Sequence, residues 1–344
     1  MTNVHILSAA DAETDGGHGH DELQKMRAHA ASDRFGVHAL VDDPAAAEIV
    51  LFVESSAAAG AYFERVRRHP VFRARRESCY LFSSTDRIVP FLPGVYASVE
   101  RSWYWPRWTR SGMYLGIHES DHLRYRPDAA AAYLFSFVGS SATHRVRRAV
   151  VRLTHPESRI IDTAVERPIG HAASRVRYGE ILAASAFVLC PRGGGPASFR
   201  LFETMMLGRS PVVISDEWMP PVGPKWDEVA VRVRERDVER VPALLEARRE
   251  EAAAMGAAAR AAWLEWFAPE AAFHRTVEWC LELASAAPGR AGARRALPYV
   301  QMLRPYHAAR WTLRRAGHGE RWRVPRPAEL GAAVERARAR RSRR

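Results

Sequence analysis

Arg192, Gly193, Gly194, Gly195, Ser198, Arg200 and Glu203 are the residues of this chain whose types and spacing best suit a chemical task. Consecutive glycines let a backbone approach a ligand closely and aim amide N–H groups at it. Arg192 adds a guanidinium whose fork matches phosphate oxygens. A helix beginning near Ser198 would turn the partial positive charge of its N-terminus toward the same place. Glu203 falls about one and a half turns into that helix, where a carboxylate can accept hydrogen bonds from vicinal hydroxyls of a ribose or a sugar. These are the parts of a nucleotide-diphosphate site. They also fit a tight turn, a surface arginine, and a Glu203–Arg200 pair one turn apart.

The elements around these residues are legible. Phe187 to Cys190 is an apolar run suited to a strand covered on both faces, and Pro191 ends it. Phe199, Phe202, Met205 and Met206 then recur at helical spacing, with Gly208 placed to follow the helix end. Pro211 to Ser215 is a second strand, with Asp216 at its carboxyl end. Upstream, strands are expected at Val4–Ser8, Ala47–Glu54 and Ser78–Ser83, with helices over 21–31 and 60–68 between them. That alternation predicts a parallel sheet. Tyr133–Val138 and Ile160–Asp162 open a second series, with a helix over 144–153 between them and another over 175–184. Helices are expected again over 237–248, 250–266 and 273–284.

The ordered set CPRGGGPASFRLFETMMLGRSPVVISD, continuing through KWDEVAVRVRERDVERVPALL, resembles the signature of the exostosin-like glycosyltransferases of family 47. The resemblance runs from about Tyr133 to Leu283, and PFLPGVYASVE is similar, more weakly, to a segment of bacterial members. It implies an α/β fold of the GT-B type, two Rossmann-like domains facing a cleft. By this reading residues 1–130 form the acceptor side and 131–285 bind the nucleotide sugar. Residues 286–344 form an Arg-rich, partly helical tail, in which 328–340 could brace the first domain. The resemblance further implies inversion at the anomeric carbon, no cofactor, no obligatory metal, and a UDP-sugar as co-substrate. The Gly139–Ser140 turn after its strand would sit near the donor phosphates, with Arg145 a further candidate there.

Composition bounds the function classes. The 344 residues suffice for two domains, and 47% hydrophobic with 26% charged residues is a soluble, globular balance. No apolar run approaches the roughly 20 residues needed to span a bilayer. The N-terminus lacks a basic start followed by a long apolar stretch, which predicts a cytoplasmic location. Cys79, Cys190 and Cys280 are unclustered, fitting buried thiols rather than metal ligands. No Asp-x-Asp pair occurs, which argues against a metal-dependent glycosyltransferase fold. Charge is uneven: from Arg290 onward 16 arginines face Glu320, Glu329 and Glu335, so this stretch carries 16 − 3 = +13 of a formal +12. Such a tail can contact an anionic membrane surface; nucleic acid is not an expected partner of the enzyme.

A transferase also needs a base for the acceptor hydroxyl. Asp86 and Glu54 follow or end strands, and Asp15, His18 and His20 lie in the first glycine-containing loop. Asp86 is preferred because it follows a strand and precedes a structured segment. RSWYWPRW, residues 101–108, suits either an aromatic platform for an acceptor sugar or a loop tucked between domains. The resulting expectation is an inverting transferase acting on a glycan, glycolipid or small-molecule acceptor. The alternative is a non-catalytic scaffold binding nucleic acid or anionic membrane through its tail.

Overall fold

A computed structural model describes residues 1–9, 18–54, 61–86, 88–116, 122–127, 129–166 and 171–286. The first unit contains β1 (Thr2–Leu7), α1 (His18–Ala31), β2 (His38–Leu40), β3 (Ile49–Glu54), α2 (Ala61–Arg68), α3 (Pro70–Ala74), β4 (Cys79–Ser83), β5 (Gly94–Tyr96) and β6 (Thr109–Ser111). Every strand pairs in parallel, in the order β2-β1-β3-β4-β5-β6. β3 and β4 are buried along their whole length, as their unbroken apolar runs predict for strands covered on both faces.

The second unit contains β7 (Tyr133–Gly139), α4 (Arg145–Val150), β8 (Ser158–Asp162), α5 (His171–Ala183), β9 (Ser185–Pro191), α6 (Phe199–Met206), β10 (Ser210–Ile214), α7 (Trp226–Val229), β11 (Val231–Val233), α8 (Val241–Ala247) and α9 (Ala252–Trp266). Its sheet is also parallel, ordered β11-β10-β9-β7-β8. This is an α/β fold of two parallel sheets with interleaved helices, consistent with GT-B. The final described helix, α10 (Pro269–Ser285), returns to the first unit and packs on α1, β3, β5 and β6. That is the bracing position considered for 328–340, which lie outside the described residues.

Strand order locates the crevices. In the second sheet the chain leaves β7 toward β8 and then crosses to β9 on the opposite side. A cleft therefore opens beyond the carboxyl ends of β7 and β9, where Gly139 and Pro191 lie. In the first sheet the equivalent reversal falls between β1 and β3, at Leu7 and Glu54. β2, β5 and β6 have three residues each, too few for a period to register, and form by pairing with longer neighbours. Helix α6 ends at Gly208, which takes φ +66°, the left-handed conformation glycine adopts without a Cβ penalty.

Two of the three tryptophans in RSWYWPRW are core residues. Trp103 and Trp108 are buried, and the Trp108 indole donates to the Pro90 carbonyl at 2.8 Å. The acceptor-platform expectation for these two rings gives way to the tucked loop, because indole area buried in a core stabilises more than area left in water.

Candidate functional site

The glycine loop after β9 lies directly against the first unit. A Cβ at Gly195 would stand 2.4 Å from the Asp86 carbonyl oxygen and 2.2 Å from Ser98 Oγ. Ser98 Oγ in turn accepts the Ala197 amide at 3.3 Å. Below the loop, Arg147 from α4 donates from Nε to the Arg192 carbonyl at 3.0 Å and from its terminal nitrogen to the Pro191 carbonyl at 3.3 Å. The loop is thus clamped from both units.

Arg192 and Arg147 are on the loop itself, and Arg200 lies beside Arg147 at the Phe137 ring. Arg192 is only 11% exposed and lies between Glu100 of the first unit, at 3.7 Å, and Glu235 of the second, at 3.5 Å. Arg200 is buried, donates to the Val138 carbonyl, and stacks over the Phe137 ring at 4.8 Å. Its Nε and one terminal nitrogen are buried without a hydrogen bond. Gly139 leaves the space this side chain occupies, since a Cβ there would be 2.8 Å from the Arg200 guanidinium. Burial and the Arg200 charge lower the Arg147 pKa to about 10. Beside them, burial and the charges of Arg192, Arg145, Arg147 and Arg148 lower His144 to about 4. Burial is the larger cause, and the four arginines add to it in the direction an approaching anion would reverse.

Glu203 projects into the same cleft. Tyr178 of α5 donates its phenolic hydrogen to Glu203 Oε2. Burial raises the Glu203 carboxyl above its ordinary value, opposed by the Tyr178 hydrogen bond and the Arg200 charge. A cavity of about 270 Å³ opens over it, lined by Glu22, Ser84, Tyr114, Gly116, Phe199 and Glu203. Phe199 is 52% exposed and meets the Tyr114 ring edge-on at 6.2 Å. Carboxylates beside exposed aromatic faces suit a ligand with hydroxyls on one side and C–H groups on the other.

The other expected residues fall as follows. Gly193 sits over Arg147, where a Cβ would be 2.9 Å from the guanidinium, and Gly194 lies between its two clamped neighbours in the loop. Ser198 is the buried N-cap of α6 and makes no side-chain capping bond. Ser140 caps the turn before α4, its Oγ accepting the Ala142 amide at 3.2 Å. Asp86 lies on the cleft face opposite, where Oδ1 accepts the Tyr114 hydroxyl at 2.6 Å. Glu54 is buried at the end of β3, accepting the Ala9 amide at 2.6 Å and the Ser8 hydroxyl at 3.3 Å. His18 begins α1; its side chain, with Asp15 and the side chain of His20, lies outside the described residues. Arg145 is 79% exposed, whereas Arg147, three residues from the N-cap His144, is the one that turns inward. Arg147, Glu100 and Glu235 carry no spacing signal relative to the loop; only the fold brings them there.

Residues 98–248 match the family described as the Exostosin GT47 domain. That stretch is exostosin-like. The matched span runs from Ser98, which touches the glycine loop from the first unit, through the whole second sheet. A Caenorhabditis elegans protein named as an Exostosin-1 homolog is 47% identical over 73 residues, 21% of this chain and 19% of that protein. A protein of Oryza sativa subsp. japonica named as a probable glucuronosyltransferase is 36% identical over 88 residues, 25% of this chain and 19% of that one. A second rice protein of that description is 33% identical over 103 residues, 29% of this chain and 23% of its own length. This chain therefore spans about a fifth of the curated relatives it matches. These relatives are eukaryotic, so the bacterial grouping expected from residues 90–100 of this chain has no support from them.

Proposed function

We propose that the exostosin-like cleft is the active site of a glycosyltransferase that uses a nucleotide-diphosphate sugar, with a UDP-sugar as the donor. The observation that carries this reading is the meeting of Arg147 and Arg192 at a glycine loop that also faces Asp86 across the cleft, with Arg200 beside Arg147 at the Phe137 ring. In the transfer, the bond between the anomeric carbon and the diphosphate oxygen breaks while the acceptor oxygen bonds to the opposite face of that carbon. Negative charge grows on the leaving diphosphate, where the guanidinium groups and loop amides stabilise it. The hydroxyl proton passes to Asp86, whose Oδ1 is already oriented by Tyr114. Glu203 holds sugar or ribose hydroxyls. Arg192 exchanges one carboxylate partner for a phosphate when the donor enters.

On this proposal the arginines do the work a divalent ion does elsewhere, so the transfer step runs without metal. The names of the rice relatives make a UDP-linked uronic acid the first donor to assay, with glycan, glycolipid and small-molecule acceptors beside it. We place the enzyme in the cytoplasm, with its +13 tail at an anionic membrane face.

Thermal unfolding of the purified chain with UDP, GDP, CDP, dTDP and ADP tests the reading. Stabilisation by UDP above the others, lost in Glu203→Ala, is the expected result. A folded protein that none of the five stabilises would overturn the donor site and favour the scaffold alternative, in which the tail binds nucleic acid with steep salt dependence.

A further inference from the structure

Away from the cleft, three potential metal ligands meet where β2 faces α10. His38 comes from the edge strand of the first sheet, and His274 and Glu278 stand one turn apart on α10. One ligand atom from each lies within 4.8 Å of the others, and His38 Nε2 is 3.0 Å from Glu278 Oε1. The two imidazoles stack at 5.0 Å, and Phe35 stacks on the far side of His274 at 4.0 Å.

The His38 side chain is only 3% exposed; its Nε2 has the Glu278 carboxylate beside it, while its Nδ1 is buried without a hydrogen bond. His274 Nδ1 is buried in the same condition. Orphaned polar atoms in a native interior call for a partner, since each otherwise loses its hydration without replacement. Two imidazoles and a carboxylate are a zinc-type donor set that leaves a further position open to water. A Zn²⁺ with ligands at about 2.0–2.1 Å holds its donor atoms roughly 3.3 Å apart in a tetrahedron, close to the His38–Glu278 separation. The Glu278 side chain, 44% exposed, gives an ion a path from solvent.

We propose that His38, His274 and Glu278 form a binding site for one divalent first-row transition ion, zinc in its commonest form. Its place in the fold assigns it a role separate from sugar transfer. It fastens α10, the helix that returns from the second unit, to the three-residue edge strand β2. An ion bound there stabilises the docked helix by as much as its binding favours the folded chain over the unfolded one.

The test uses the full chain without a histidine tag, freed of metal by chelation and dialysis. Zn²⁺ is titrated in competition with a chromogenic chelator, and thermal unfolding is followed with and without Zn²⁺. One site per chain is expected, with a Tm that rises on adding Zn²⁺. Glu278→Gln keeps the side-chain shape at a half-exposed position, and is expected to weaken binding at least about tenfold and abolish the Tm rise. Replacing His18 and His20 with alanine is expected to change neither. Equal zinc affinity in wild type and Glu278→Gln, loss of the site on removing His18 and His20, or no Tm response to Zn²⁺ in the wild type would each overturn the proposal.

Discussion

Gly195 and Asp86 touch across the cleft, the α-carbon of one against the backbone carbonyl of the other, so closely that a methyl group at 195 would lie 2.4 Å from that oxygen. The two units of the chain therefore approach through a residue that has no side chain. Gly195→Ala must push backbone from backbone, at a cost of about 1–3 kcal/mol and a displaced Asp86. At Gly193 the same substitution meets only the end of the Arg147 side chain, at 2.9 Å, which can swing aside. Chemical denaturation and transferase assays on both variants should rank Gly195→Ala as the more damaging in each. The reverse order would mean that the interdomain contact does not set the cleft.

Tyr178 is the hydroxyl donor to the buried Glu203 carboxylate. Tyr178→Phe leaves that acceptor short of a partner and should cost about 1–3 kcal/mol in stability. The bond also favours the ionised carboxylate, so its loss raises a pKa that burial has already raised. The acid limb of nucleotide affinity against pH should accordingly move to higher pH in the variant. Isothermal titration across the acid range reads the limb directly, and an unmoved limb would remove Glu203 from the binding step.

His144 reports on the phosphate position. Its pKa is lowered to about 4 by burial and by Arg192, Arg145, Arg147 and Arg148. A diphosphate at the arginine cluster offsets those charges, so bound UDP should raise the His144 pKa in an NMR titration. A pKa unchanged by saturating nucleotide would place the phosphates elsewhere.

His29, on the face of α1 that meets α10, is held neutral by burial, with its pKa lowered from 6.5 to about 4. The unfolded chain therefore takes up a proton that the folded chain refuses between these values. The stability this histidine contributes is complete above pH 6.5 and is lost as pH falls toward 4. The shift corresponds to ~3 kcal/mol as an order of magnitude. Urea unfolding at steps across the window should show the loss, and His29→Gln should flatten it. An equal slope in the variant would assign the acid sensitivity to other groups.

The sequence by itself determined the longer elements and the loop. β3, β4, β9 and β10 hold unbroken apolar runs, and β7 one interrupted only by Ser136, because both faces of a parallel sheet are covered. The glycine loop, α6 and Gly208 are local chemistry written in consecutive residues. Their order carries the family resemblance, and residues 98–248 match it. Tertiary structure decided which charged residues meet. Arg147 rather than Arg145 turns under the loop because of its place on the α4 surface, and Glu100 and Glu235 reach Arg192 from two different units. Trp103 and Trp108 became core because the loop carrying them closes over the first sheet. His38 meets His274 and Glu278 only because α10 returns to the edge of that sheet. Hydrophobic periodicity is a property of neighbours along the chain. Electrostatic and ligand geometry depends on distances that packing sets between residues far apart in it.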